Sequence, residues 1–78
     1  MSVWAYVFIT TTNSGPCKAV QAIRKIPGVV KADALFGSPD VIAIVEWSDL
    51  HAMDAVIDAI VELPEVVATE TKVARWTD

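Results

Sequence analysis

"IPGVVKADAL" runs from Ile26 to Leu35, and "LPEVVATETK" runs from Leu63 to Lys72. Each opens with an aliphatic residue and a proline, passes one further residue, and enters a β-branched run through Val-Val. Proline resists continuation of a helix, and paired valines favour a strand. Both stretches therefore read as junctions where a helix stops and a strand starts. They lie 37 positions apart, and the same offset lays Trp4–Thr10 over Val41–Trp47 and Pro16–Ile26 over Met53–Leu63. The chain is one pattern written twice.

Working outward, residues 3–11, "VWAYVFITT", are aromatic and β-branched and predict a first strand. In "NSGPCK", Ser14 or Gly15 is the expected N-cap, with Pro16 in the first turn, where its missing N–H costs nothing. Val20, Ile23 and Ile26, with Ala19 and Ala22 beside them, recur at helical spacing up to Pro27-Gly28. A second strand is predicted over Val29 to Phe36 and a third over Asp40 to Trp47. Ser48 or Asp49 caps a second helix whose apolar stripe is Leu50, Met53, Val56, Ile57, Ile60 and Leu63. Pro64 ends it, and a fourth strand runs from Val66 to about Trp76. Each half is a βαβ unit. Two such units sharing a sheet give a ferredoxin-like βαββαβ fold of the α+β class, with two helices on one face of four antiparallel strands.

The two central strands are apolar on both sides. Trp4, Tyr6 and Phe8 alternate with Ala5, Val7 and Ile9; Val41, Ala43, Val45 and Trp47 alternate with Ile42 and Ile44. A sheet with one wet face alternates apolar with polar. Two helices cover one face only, so the other needs cover from outside the chain. The same face of a second copy is the simplest cover, giving a two-fold dimer and a closed dimeric α/β barrel.

Composition narrows the function classes. At 78 residues the chain makes a single small domain, 1–78, whose core yields only a few kcal/mol of net stability without a staple. Cys17 is the only cysteine, so no internal disulfide forms, and association remains as the staple. Six Lys/Arg against ten Asp/Glu give a net charge of −4, and the basic residues are scattered. Nucleic-acid readers carry a concentrated basic face, so no direct nucleic-acid binding is expected. No apolar run reaches a membrane span, and the N-terminus lacks a signal-peptide pattern. The chain reads as soluble and cytoplasmic.

Few residues invite a chemical role. Asp54, Asp58 and Glu62 lie at i, i+4, i+8 on the second helix, but no histidine joins them, and they read as a solvated face beside Lys18, Arg24 and Lys25, not as a metal site. Cys17 opens the first helix with no nearby base, and His51 is the single histidine, without an orienting partner. No catalytic residue, metal or cofactor is expected.

The ordered set strand, helix, "IPGVV", strand, Gly37-x-x-Asp40, strand, helix, "LPEVV", Thr69-x-Thr71 resembles the effector-binding (RAM) domain of the Lrp/AsnC family of amino-acid-responsive transcription regulators. The resemblance covers roughly Trp4 to Ala74. It implies a domain that dimerises through its sheet and builds rings of dimers, with an amino-acid effector held between neighbouring dimers. Family regulators carry a helix-turn-helix domain ahead of this unit; here the first strand begins at residue 3, which resembles a stand-alone form acting through a partner such as a full-length regulator.

Carried over, Gly37, Ser38 and Asp40 border the pocket, with Gly37 allowing close backbone approach and Asp40 accepting from an α-ammonium. Pro39 stands where the family usually has an aromatic residue. Thr69 and Thr71 would hold the effector carboxylate. Two readings of the residues themselves stay open. Gly37-Ser38-Pro39-Asp40 is also what any hairpin turn needs, and the repeat sets Thr69 and Thr71 opposite Ala32 and Ala34, on the side facing the helices. The expected function is a non-enzymatic amino-acid sensing or regulatory module. The alternatives are a small enzyme of the dimeric α/β-barrel class, with Tyr6, Asp33 and His51 as its poor polar candidates, or a purely structural assembly module.

Overall fold

Alternation puts every second residue of a strand on one face, and the computed structural model, described over residues 2–13 and 15–75, sorts the chain by that rule. The elements are β1 (Val3–Thr11), α1 (Pro16–Ile23), β2 (Val29–Ala34), β3 (Val41–Trp47), α2 (Leu50–Val61) and β4 (Val66–Val73). The four strands form one sheet in the order β2-β3-β1-β4, with every neighbouring pair antiparallel. This is the expected ferredoxin-like arrangement, with the apolar central strands β1 and β3 in the middle.

One face supplies the core. Ala5, Val7, Ile9, Ala32, Val41, Ala43 and Val45 are buried against Ala19, Val20 and Ile23 of α1 and Met53, Val56 and Ile60 of α2. The helical residues sit three or four positions apart, so each helix presents one apolar stripe. Removing a valine- or isoleucine-sized side chain from water is worth about 1.5–3 kcal/mol, which makes this layer the main source of stability.

The junctions behave as the repeat implies. Gly15 is the N-cap of α1 and makes no side-chain cap bond, with Pro16 following it in the first turn; the alternative, Ser14, lies outside the described residues. Asp49 caps α2, accepting from the Ala52 N–H at 2.7 Å. Gly28 holds φ +97, and a Cβ there would meet the Trp47 ring at 2.5 Å. Glycine is required twice over at this point, for backbone and for space.

The ends are shorter than periodicity predicts. α1 stops at Ile23, where i→i+4 bonding gives way to i→i+3 bonds from Lys25 N to Ala22 O (3.2 Å) and from Ile26 N to Ile23 O (3.0 Å) ahead of Pro27; the Arg24 side chain reaches across to β2, donating from Nε to Ala32 O (2.9 Å) and from Nη2 to Asp33 (3.4 Å). The basic residue read as facing the acidic helix thus turns to the sheet edge. β2 stops at Ala34, since Leu35 N donates to Asp40 O (2.7 Å) and closes the loop, leaving Phe36 fully exposed. β4 stops at Val73, although Ala74 N still reaches Trp4 O at 2.8 Å; the expected extension to Trp76 reaches beyond the described residues.

Candidate functional site

The site expected from the sequence has two parts, the β2–β3 loop and the middle of β4. Antiparallel pairing sets both beside the C-terminal half of β1. Thr69 is the register partner of Ile9, and Thr71 of Val7. Directly paired residues share a face, so both threonines stand on the helix side of the sheet. β4 is an edge strand, so Thr69 remains half-buried and Thr71 exposed. In the loop, Gly37 holds φ +116 with open space where a Cβ would sit, and the Ser38-Pro39 peptide is cis.

Asp40 is engaged on both oxygens. Thr11 N donates to Oδ1 at 2.9 Å, and the Thr11 hydroxyl donates to Oδ2 in a short hydrogen bond. Asp40 N in turn donates to Ile9 O at 3.2 Å. The hydroxyl bond is the main reason the carboxyl is held below its ordinary pKa; partial burial opposes it, and the backbone bond adds to it. The β2–β3 loop is thereby clamped to the end of β1. Thr11 was not singled out by its sequence; only the register of β1 brings it to Asp40, 29 residues away.

A shallow open cleft of about 210 Å³ lies between this loop and β4, lined by Phe8, Thr10, Ser38, Pro39, Ala68, Thr69 and Glu70. Ser38 and Thr69, from the two separate expected parts, meet in it. Gly37, Asp40 and Thr71 do not line it. Phe8, Thr10 and Glu70 are contributors that the sequence did not signal. They belong to the uncovered face, where Glu70 pairs with Phe8 and Ala68 with Thr10.

That face is broad and apolar at its centre. Trp4 is 38% and Tyr6 40% exposed, with Phe8, Ile42 and Ile44 half-buried beside them. Charged pairs frame it: Lys31 Nζ lies 3.6 Å from Asp33 on β2, and Lys72 Nζ lies 3.7 Å from Glu70 on β4. The groups considered for catalysis stay apart. Tyr6 lies on this open face, Asp33 is held by Arg24 and Lys31, and His51 and Cys17 are exposed on the helices. Among the described residues no group of three or more His, Cys, Asp or Glu side chains is arranged to hold a metal ion, and no helix is long and apolar enough to cross a membrane.

The four-stranded antiparallel sheet with two helices on one face and a small cleft at its loop end makes this a ferredoxin-like α+β domain. The chain belongs to the Lrp/AsnC ligand-binding-domain family, whose model matches residues 4–75. Among solved structures it is similar to TTHA0845 from Thermus thermophilus, with 27% identity over 97% of this chain and 96% of that one, at a TM-score of 0.90. Escherichia coli AsnC shares 19% identity over 96% of this chain and 52% of its own, at a TM-score of 0.85. The transcriptional regulator NMB0573 of Neisseria meningitidis, solved as a complex with L-Met, shares 18% identity over 95% of this chain and 50% of its own, at a TM-score of 0.79. No curated protein sequence matches the chain.

Proposed function

We propose that residues 1–78 form one non-enzymatic sensing domain that dimerises through its open sheet face and responds to a free amino acid. The observation that carries this reading is the cleft. It joins Ser38 to Thr69, yet at about 210 Å³ it falls short of the roughly 300–1,000 Å³ typical of small-molecule sites. A half-site of this kind is completed by a neighbouring copy, which ties ligand binding to assembly. The L-Met complex of the Neisseria meningitidis regulator supports an amino acid as the ligand class.

Within this reading, Ser38 and the Thr69 backbone present hydrogen-bonding groups to the zwitterion from the cleft, and Gly37, outside the cleft, serves through the positive φ that shapes the loop. Asp40 shapes the loop through Thr11, and any contact it makes with an α-ammonium uses the lone pairs left over from those bonds. Thr71 acts from the helix side of the edge strand β4, toward a neighbouring dimer in a ring. A full-length Lrp/AsnC-type regulator offers the same sheet face and is the expected heterologous partner. The net charge of −4 speaks against direct nucleic-acid contact by this chain.

The test is a thermal-shift screen against the twenty amino acids, with size in solution followed in parallel. A ligand that binds the native state alone raises the melting temperature, by about 2.7 kcal/mol of stability at a hundred times Kd. At least one amino acid is expected to raise it and to shift the oligomer distribution. A flat screen across all twenty rejects the sensing role and leaves assembly alone as the function.

A further inference from the structure

β2 is an outer strand of the sheet, and one side chain from α1's end covers the middle of its free edge. Leu35 N donates toward the returning chain, to Asp40 O at 2.7 Å. By the alternation of an antiparallel ladder, Ala34 and Ala32 then turn their N–H and C=O groups outward, away from β3. The Ala32 carbonyl is the one that Arg24 Nε meets at 2.9 Å, an ordinary ladder-bond distance, while Nη2 reaches Asp33 on the same strand. An open groove of about 430 Å³ runs along this edge, lined by Arg24 and by Val29 through Asp33. An added strand would lie there, about 4.8 Å from β2.

We infer that Arg24 is an edge guard, which withholds β2 from pairing edge to edge with the β2 of another copy. Without it the edge is self-complementary. Antiparallel pairing centred on Ala32 lays Lys31 of each copy opposite Asp33 of the other, with Val30 opposite Ala34. Opposite charges across a strand pair stabilise such a ladder, and the two Ala32 residues would exchange both backbone bonds about the two-fold axis. In the single copy these groups are already engaged. Arg24 and Lys31 both hold Asp33, at 3.4 and 3.6 Å, and Arg24 takes the Ala32 acceptor. The register shift between Val29 and Lys31 shortens the edge without closing it. An unguarded edge is a template for further pairing. A dimer through the open face would carry two such edges, so pairing would run on as an open chain of dimers. The guard itself belongs to the single copy and acts whether or not that dimer forms.

The test variant is Arg24→Met, which keeps an apolar stem and removes both donors. The Arg24 side chain is 57% exposed, and circular dichroism checks the fold. Sedimentation velocity at matched micromolar concentrations should show the variant at about double the weight-average mass of the parent or more. Its Ala32 and Ala34 amides should exchange with solvent about tenfold more slowly, since an added strand now protects them. Arg24→Met/Ala34→Pro should return to the parental mass, because proline removes an outward N–H that only an added strand would use. Should the methionine variant lose its fold, Arg24→Ala repeats the test with the whole side chain removed. A folded variant with the parental mass and exchange rates overturns the inference. Growth that persists in the double variant also overturns it, because the contact then lies elsewhere. A monomeric parent refutes the sheet dimer alone; the variant then stops at pairs, and those pairs still support the guard.

Discussion

Val7 and Tyr6 are adjacent on β1, yet Val7 is fully buried and Tyr6 is 40% exposed. The whole sheet divides in this way. Its helix side packs Ala, Val and Ile against two amphipathic helices; its open side carries the larger Trp4, Tyr6, Phe8, Ile42 and Ile44 with no helix above them. Small β-branched residues and alanine let helices lie close on a sheet. Wide aromatic rings suit a flatter surface, where two sheets interdigitate. The difference in side-chain size separates a face finished by the chain's own helices from one that they leave uncovered.

The strongest way to break that division is a charge placed on each face. Val7→Asp strands a carboxylate under both helices, at a cost of several kcal/mol. For a domain this small that is most of its stability, so the variant should be unfolded by circular dichroism at room temperature. Ile44→Asp, on the open face, should leave the monomer folded. Its dimer should dissociate about a hundredfold more readily, equivalent to about 2.7 kcal/mol, as read by sedimentation. Equal thermal destabilisation by the two substitutions would erase the distinction between the faces.

Two glycines of positive φ sharpen the same contrast. Gly28→Ala forces a methyl into the Trp47 ring beneath α2, adding overpacking to backbone strain. About 3 kcal/mol or more is expected. Gly37→Ala meets nothing, so only the backbone cost of about 1–3 kcal/mol applies. Urea midpoints of the two variants check the difference; near-equal values would show that Trp47 yields freely.

The smallest stability effect falls at the loop. Asp40→Asn keeps the shape of the clamp on Thr11 and should cost about 1 kcal/mol or less, since the site is partly solvated. Because the folded carboxyl titrates below its unfolded value, its contribution is present above about pH 4 and is lost as the pH falls through the lowered folded value. The parent should therefore lose stability on acidification in that range more steeply than the Asn variant, measured by melting temperature against pH. If Asp40→Asn also leaves binding of a stabilising amino acid unchanged, the loop acts as a clamp only. A charge-assisted contact to an α-ammonium would instead cost roughly tenfold or more in affinity.

Much of this was written in one dimension. The repeat of "IPGVV" and "LPEVV" with its matched strands and helices carries the ferredoxin-like order, because proline, glycine and apolar period act through neighbours a few residues away. The two-faced apolarity of "WAYVFI" and "VIAIV" was legible for the same reason, and with it the expectation of cover from a second copy. The end of α1 was less legible, since the apolar period runs on through the i→i+3 turns of Lys25 and Ile26, and the Arg24 side chain bonds to a carbonyl on β2 that no local rule connects to it. The candidate site was legible as two separate stretches, Gly37–Asp40 and Thr69–Thr71. What only the tertiary structure decided was which members meet. Register brought Ser38 to Thr69 and gave both oxygens of Asp40 to Thr11. Register is set by the packing of the whole sheet, and a slip of one residue would turn each of these side chains to the opposite face.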